Sequence, residues 1–157
     1  MEIGAQFFTL REQCKNLHDF AETLKKVADI GYKTIQVSAV CPYEPAWLAE
    51  QLKATGLRCV VTHYDLNRIK NDTDGVVADH RTFGCPYVGI GAMPGGIEKP
   101  EMYDQFVADY LPAAKRIAAL GEKLLYHNHH FEFMKAADGR LYIDKMLETF
   151  SPDELGF

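Results

Sequence analysis

Apolar positions along the chain alternate between two spacings. Phe20, Leu24, Val27 and Ala28 recur three to four residues apart, the spacing of one helix face. Asp19 with Glu22 three residues on resembles a capping box, so a helix is expected to open there. After Gly31 comes Thr34-Ile35-Gln36-Val37, a compact β-branched run of the kind a buried parallel strand needs. The same succession returns after Gly56 (Cys59-Val60-Val61-Thr62), Gly84 (Tyr87-Val88-Gly89-Ile90) and Gly121 (Leu124-Leu125-Tyr126-His127). Glycine suits the left-handed residue that ends a helix, because it has no Cβ to clash. Pro45 fits the first turn of a second helix, where its missing N–H is not needed. The third helix, about Thr73 to Phe83, is diluted by Gly75. Tyr103, Phe106, Tyr110, Ala113, Ile117 and Leu120 form the stripe of a fourth, with a kink or break expected at Pro112.

With an opening strand at Ile3 to Phe8, the order is β-α-β-α-β-α-β-α-β. Strict alternation predicts a parallel sheet joined by right-handed crossovers. Asp138-Gly139, between Phe131 and Ile143, predicts a hairpin. Asp144 to Phe150 reads as a short helix, and Ser151 to Phe157 as the approach to a sixth strand. A closed (β/α)8 barrel takes about 250 residues. The 157 residues here are expected to form a single α/β domain, a partial TIM barrel of about five units. The rival is an open doubly wound sheet, but the first strand is followed by no glycine-rich phosphate loop.

Composition narrows the partners. A net charge of −5 without a Lys/Arg-rich run argues against a nucleic-acid ligand, which needs a basic face. No apolar run approaches the roughly 20 residues needed to cross a bilayer, so no membrane partner is expected. The Met1-Glu2-Ile3-Gly4 start lacks the basic and apolar regions of a secretory signal. Cys14, Cys41, Cys59 and Cys85 form no CxxC pair, and Cys59 lies in an apolar run, so reduced, packed thiols and a cytoplasmic location are expected.

Chemistry in parallel β/α folds gathers at the C-terminal ends of strands. Those ends carry Gln6 and Thr9, Ser38, His63, Met93, and then His127, Asn128, His129, His130 and Glu132. His127 and His129, two apart on a strand, point to one face. Imidazoles suit divalent metals, and Glu132 would suit a hard cation. The plainer alternative is that these are hydrogen-bonded rim or core histidines. His63 is a substrate ligand, an acid/base or a packed histidine, and Gln6 and Thr9 are substrate contacts or mouth-capping polar residues. Met93-Pro94-Gly95-Gly96 either offers amides to a phosphate or is a plain loop. Glu44, Asp65, Asp72 and Asp74 are expected in solvated loops.

The segment Leu125-Tyr126-His127-Asn128-His129-His130-Phe131-Glu132-Phe133 is very similar to a "YHNHxFEF" stretch of the sugar phosphate isomerase/epimerase family, the xylose isomerase-like TIM barrels. Gly4-Ala5-Gln6-Phe7-Phe8-Thr9-Leu10-Arg11 resembles that family's opening strand, and Phe83-Gly84-Cys85-Pro86-Tyr87-Val88 its approach to strand four. The resemblance implies metal-assisted proton abstraction beside the carbonyl of a sugar, with a divalent ion (Mn, Mg, Co or Zn) as cofactor. It implies His127 and Glu132 at the metal, His129 and Glu132 as catalytic groups, and Gln6, His63 and Asn128 as substrate contacts. Two departures stand out: His127 occupies a place where many relatives carry glutamate, and the expected later Asp, His and Glu ligands lie beyond the residues given. Other readings are a non-catalytic or incomplete barrel, whose open parallel edge invites a second copy, and a keto-sugar lyase or dehydratase. A base-excision endonuclease on the same barrel fits less well, for want of a basic DNA face.

Overall fold

A computed structural model describes residues 2–96 and 100–157. The order is β1 (Gly4–Gln6), α1 (Leu17–Ile30), β2 (Thr34–Val37), α2 (Pro45–Thr55), β3 (Arg58–Thr62), α3 (Leu66–Asn71), α4 (Thr73–Thr82), β4 (Tyr87–Ile90), α5 (Pro100–Ala119), β5 (Lys123–Tyr126), α6 (Tyr142–Thr149) and β6 (Leu155–Gly156). Among the described residues no helix is long and apolar enough to cross a membrane. The chain gathers into two compact units, one comprising residues up to His63 with Ala78–Val88, the other Tyr64–Val77 with Gly89–Phe157.

In the first unit β1, β2 and β3 pair in parallel, with Gln6 opposite Gln36 and Val37 opposite Thr62. The opening strand stops at Gln6 rather than Phe8, because Phe7–Gln13 winds into 3-10 turns that turn Phe7 into the core. Helix α1 begins one turn before the expected cap. Asn16 is the N-cap, its Oδ1 accepting the Asp19 N–H at 2.9 Å while its Nδ2 donates to the Asp19 carboxylate at 2.7 Å. Glu22 instead pairs with Lys25 on the exposed face. Phe20, Leu24 and Val27 of α1 are buried, and the Phe20 ring lies 5.7 Å from Phe7 and 5.4 Å from Trp47. Burying side chains of this size stabilises by about 2 kcal/mol each, which makes this aromatic cluster the anchor of the unit. Pro45 opens α2 as expected. Cys59 and Cys85 are buried free thiols. Their mutual hydrogen bonding, then burial, holds the Cys59 pKa well above the ordinary thiol value.

In the second unit β4, β5 and β6 lie side by side, with β6 parallel to β5 through Leu124↔Leu155 and Leu125↔Gly156. Ser151 to Phe157, expected only as the approach to a sixth strand, already holds two strand residues, Leu155 and Gly156. Tyr103, Phe106, Tyr110, Ala113 and Ile117 of α5 are buried as the stripe predicts, and Phe106 lies 5.6 Å from Tyr126 and 6.0 Å from Phe150. Helix α5 runs unbroken through Pro112. Asp65 and Asp74, expected in solvated loops, hold helices instead. Asp65 caps α3 by accepting the Arg68 N–H at 2.8 Å, and Asp74 takes two hydrogen bonds from Arg116 at 2.7 Å. A Cβ at Gly75 would meet the Asp72 carboxylate at 2.5 Å, so a larger residue there needs that side chain to swing away. The hairpin at Asp138-Gly139 is reduced to one antiparallel bridge, Lys135↔Leu141, closed by a turn with Gly139 at φ +83°.

Candidate functional site

Both units carry a hydrogen-bonded polar group at the C-terminal end of a strand, and each is described by itself. In the first, His63 follows β3 and is pinned by its backbone N–H to Val37 O at 2.8 Å. Its Nε2 meets the Gln36 amide nitrogen at 2.6 Å and its Nδ1 meets Ser38 Oγ at 2.9 Å. The amide N–H donates to Nε2, which leaves the ring proton on Nδ1, donating to Ser38. The imidazole that the sequence offers as an acid/base thus has both nitrogens engaged inside the fold. Gln6, half-buried, sits beside Gln36 in the strand register. Just behind, Thr62 Oγ1 and His80 Nε2 lie 2.9 Å apart and fully buried.

Sequence reasoning missed Gln36. It reads as one polar residue in an apolar strand, and the signal that could have found it is its place on the last turn of alternation before Ser38. Thr9 belongs to the 3-10 turn, its hydroxyl donating to Gln6 O at 2.7 Å.

In the second unit β5 ends at Tyr126, and His127, Asn128 and His129 follow in extended chain before a 3-10 turn at Phe131–Phe133. The His127 N–H donates to Ile90 O at 2.9 Å, which continues the β4–β5 edge past the strand. His127 and Asn128 are exposed. The His127 and His129 rings lie 4.9 Å apart, so the two-residue spacing does bring the imidazoles together. His129 stacks on Phe131 at 5.1 Å and 14°. Loss of hydration first, and His129 second, push the His127 pKa below the usual imidazole value, against an upward pull from Glu132.

Glu132 occupies a place no sequence pattern foretold. It is 0% exposed. One carboxylate oxygen accepts the Tyr126 hydroxyl in a short hydrogen bond, and the other accepts the His129 backbone N–H at 2.6 Å. The Met93 backbone N–H lies against the same tyrosine hydroxyl. Burial, then Glu132, drives the Tyr126 pKa far up, so the phenol keeps its proton and donates it to the carboxylate. A buried charge with both oxygens taken by donors is a clamp on the turn, not an open ligand.

One polar atom in this cluster is left without a partner: His129 Nδ1, buried and unbonded. For a divalent cation, the donor chemistry offers two neighbouring imidazoles, His127 and His129, while Glu132 is withdrawn into the interior. Among the described residues no three His, Cys, Asp or Glu side chains gather to hold a metal ion. The residues fit the imidazole part of such a site and not its carboxylate part.

No family model matches the chain, and no curated protein matches it by sequence. Solved structures do match. A xylose isomerase-like TIM barrel protein from Mycobacterium smegmatis, in complex with magnesium, superposes with a TM-score of 0.66 at 12% identity, over 99% of this chain and 63% of its own. D-allulose 3-epimerase from Methylomonas sp. gives 0.65 at 14% identity, over 98% and 60%. An AP endonuclease, family 2, from Brucella melitensis gives 0.61 at 14% identity, over 80% and 55%. The chain spans 55–63% of the length of these three proteins. Identities this low speak to fold alone, and chemistries as different as epimerisation and endonuclease action share it. What the likeness establishes is architecture: the chain has the fold of the xylose isomerase-like TIM barrels and supplies about five of their eight β/α units.

Proposed function

We propose that this chain carries part of the active site of a sugar isomerase or epimerase, with His129 as the proton-transferring group. The observation that carries the reading is the unpartnered Nδ1 of His129 at the end of β5. Leaving a buried ring nitrogen unbonded costs about 1–3 kcal/mol, a cost that a bound substrate hydroxyl or C–H acid would offset. Sites at the C-terminal ends of barrel strands read as catalytic, whereas the opposite face reads as stability.

In this reading His129 Nδ1 takes the proton from the carbon beside a sugar carbonyl and returns it to the neighbouring carbon or to the opposite face. Those two fates separate isomerisation from epimerisation. Glu132 positions the base by clamping the His129 backbone, and Asn128, exposed beside it, faces the substrate hydroxyls. His127 is the residue that would hold a divalent cation, since His129 with Nδ1 as the base keeps its proton on Nε2 and has no second lone pair to give, and the cation would supply polarisation of the carbonyl oxygen. A keto-sugar lyase or dehydratase starts from the same proton abstraction and differs in the leaving group. The substrate is a small-molecule sugar and not a nucleic acid, the latter consistent with the net charge of −5.

The test is solvent exchange. The protein is incubated in D2O with Mn2+ and a panel of ketoses and aldoses, and loss of the C–H signal beside the carbonyl is followed by proton NMR. Deuterium incorporation with at least one sugar, abolished in His129→Ala and retained at a reduced rate in His127→Ala, is expected. Absence of exchange with every sugar, together with no Mn2+ binding by calorimetry, would sink the reading in favour of a non-catalytic module.

A further inference from the structure

The end of β2 departs from regular strand geometry twice within four residues. Register with β3 steps between Ile35 and Gln36, so that Ile35 lies opposite Cys59 while Gln36 lies opposite Val61. A step of this kind re-aims the side chain that follows it. Three residues later Ala39 has φ +56°, the left-handed conformation in which a Cβ is crowded. It is the one such non-glycine residue among those described. Between these two irregularities stand Gln36 and Ser38, and both reach the same ring, His63. A strand that bends away from its regular course on both sides of a polar pair is shaped for what that pair holds.

The hydrogen-bond inventory decides what is left to bind a ligand. An imidazole has two nitrogens, and His63 spends one on Gln36 and one on Ser38. A primary amide has two N–H donors and a carbonyl oxygen. Gln36 spends one N–H on the ring, which leaves a donor and an acceptor on a half-buried side chain. Gln6 stands next to it in the register with a second amide, whose side chain makes no hydrogen bond to the described residues. Amides on two register-paired residues offer donors and acceptors without charge. That pattern matches a vicinal diol, each hydroxyl of which both donates and accepts.

We infer that Gln6 and Gln36 are a recognition pair for the uncharged vicinal hydroxyls of a polyol or sugar, and that His63 and Ser38 are positioning residues behind them. The substrate class rests on the proposed sugar chemistry; the positioning of Gln36 by a single His63 tautomer does not. This assignment reverses the roles the sequence suggests. His63 touches no substrate and moves no proton, and the specificity lies in an amide that sequence reading passes over.

The experiment is imidazole and side-chain amide NMR on the whole chain, with D-allulose as the neutral ketohexose probe. In the wild type without sugar, His63 is expected as the Nδ1–H tautomer, with Nε2 a pure acceptor. D-allulose should shift the Gln6 and Gln36 side-chain amide signals saturably and leave the His63 tautomer unchanged. Gln6→Leu should weaken that response about tenfold with the tautomer intact, because the hydrogen bonds that fix the ring run to Gln36 and Ser38. Gln36→Leu should weaken it similarly and also release His63 into a tautomer mixture. The inference is overturned by an Nε2–H tautomer in the wild type, by Gln36→Leu binding D-allulose as well as the parent, or by a sugar response at His63 and none at the glutamines. Failure of the isomerase reading looks different: deuterium exchange is absent while the glutamine shifts persist.

Discussion

Two histidines end two parallel strands in this molecule, and the fold treats them oppositely. His63 in the first unit is saturated, with an amide on one nitrogen and a hydroxyl on the other. His129 in the second has its backbone clamped by a buried carboxylate and its Nδ1 left without a partner. The neutral cluster spends its imidazole to fix other groups; the charged cluster spends its carboxylate to fix an imidazole. Residue type alone cannot make this distinction, because function follows from which nitrogen remains unspent. A charged clamp is also the costlier element, since a buried carboxylate is tolerable only while its donors are in place.

The largest expected effect therefore lies at Glu132. Glu132→Ala strands the Tyr126 hydroxyl and the His129 N–H in the interior, a loss of about 3 kcal/mol. Thermal unfolding should register this as a fall in Tm of about 6 °C or more. Tyr126→Phe removes one donor and leaves the His129 bond, so about 1–2 kcal/mol is expected. A Glu132→Ala variant as stable as the parent would mean that the carboxylate is not the clamp.

A smaller effect separates the two histidines by sign. Replacing His63 by phenylalanine abandons two satisfied partners, Gln36 and Ser38, and should destabilise by about 1–2 kcal/mol. Replacing His129 by phenylalanine removes an unsatisfied nitrogen and keeps a flat ring against Phe131, so stability should hold or rise by up to about 1 kcal/mol. Denaturant midpoints measured side by side make the check. If both variants lose stability equally, the contrast between a spent and an unspent imidazole fails.

Much of the scaffold was legible in the sequence, and the reason is physical. Thr34–Val37 and Tyr87–Ile90 form strands with the bounds their runs predict, because short β-branched and apolar runs set off by a preceding glycine suit a strand of a parallel sheet. The sheet order of β1, β2 and β3 follows from the alternation itself. Short elements escaped. Helix α3, Leu66–Asn71, has too few turns to show a period, and its Asp65 cap resembled a loop residue. The end of β1 was misjudged because Phe7 and Phe8 read equally well in a strand and in a 3-10 turn. At the site, the pairing of His127 with His129 was visible from a spacing of two. The burial of Glu132 was not, since the partner that stabilises it, Tyr126, is marked in sequence only as another strand residue. Gln36 was hidden for the converse reason: its partners come from the register step and from a different strand.

The smallest expected effect is acid sensitivity, and it should divide the units. In the second unit Asp74, Asp109 and Asp138 are each held below the ordinary carboxylate pKa, by Arg116, by Lys70 and by hydrogen bonds from Arg140 respectively. In the first unit Glu22, beside Lys25, is lowered in the same way. A carboxyl group with a lowered folded pKa contributes stability above its unfolded value, near 4, and loses it as pH falls through the folded value. His127, also in the second unit, has a lowered folded pKa. Its unfolded form therefore binds a proton first, and stability falls as pH drops below about 6.5. The second unit should accordingly weaken in two steps, one below neutrality and one below about pH 4, while the first shows only a slight late loss. Lys70–Asp109 is half-buried and the other pairs are solvent-exposed, so each step is small and salt should shrink it. Amide hydrogen exchange between pH 7 and pH 3 resolves the units residue by residue. Amides of α5, tied by Lys70–Asp109 and Arg116–Asp74, should lose protection before those of β2 and β3. Equal loss in both would show that local charge pairing does not set the order in which the two units open.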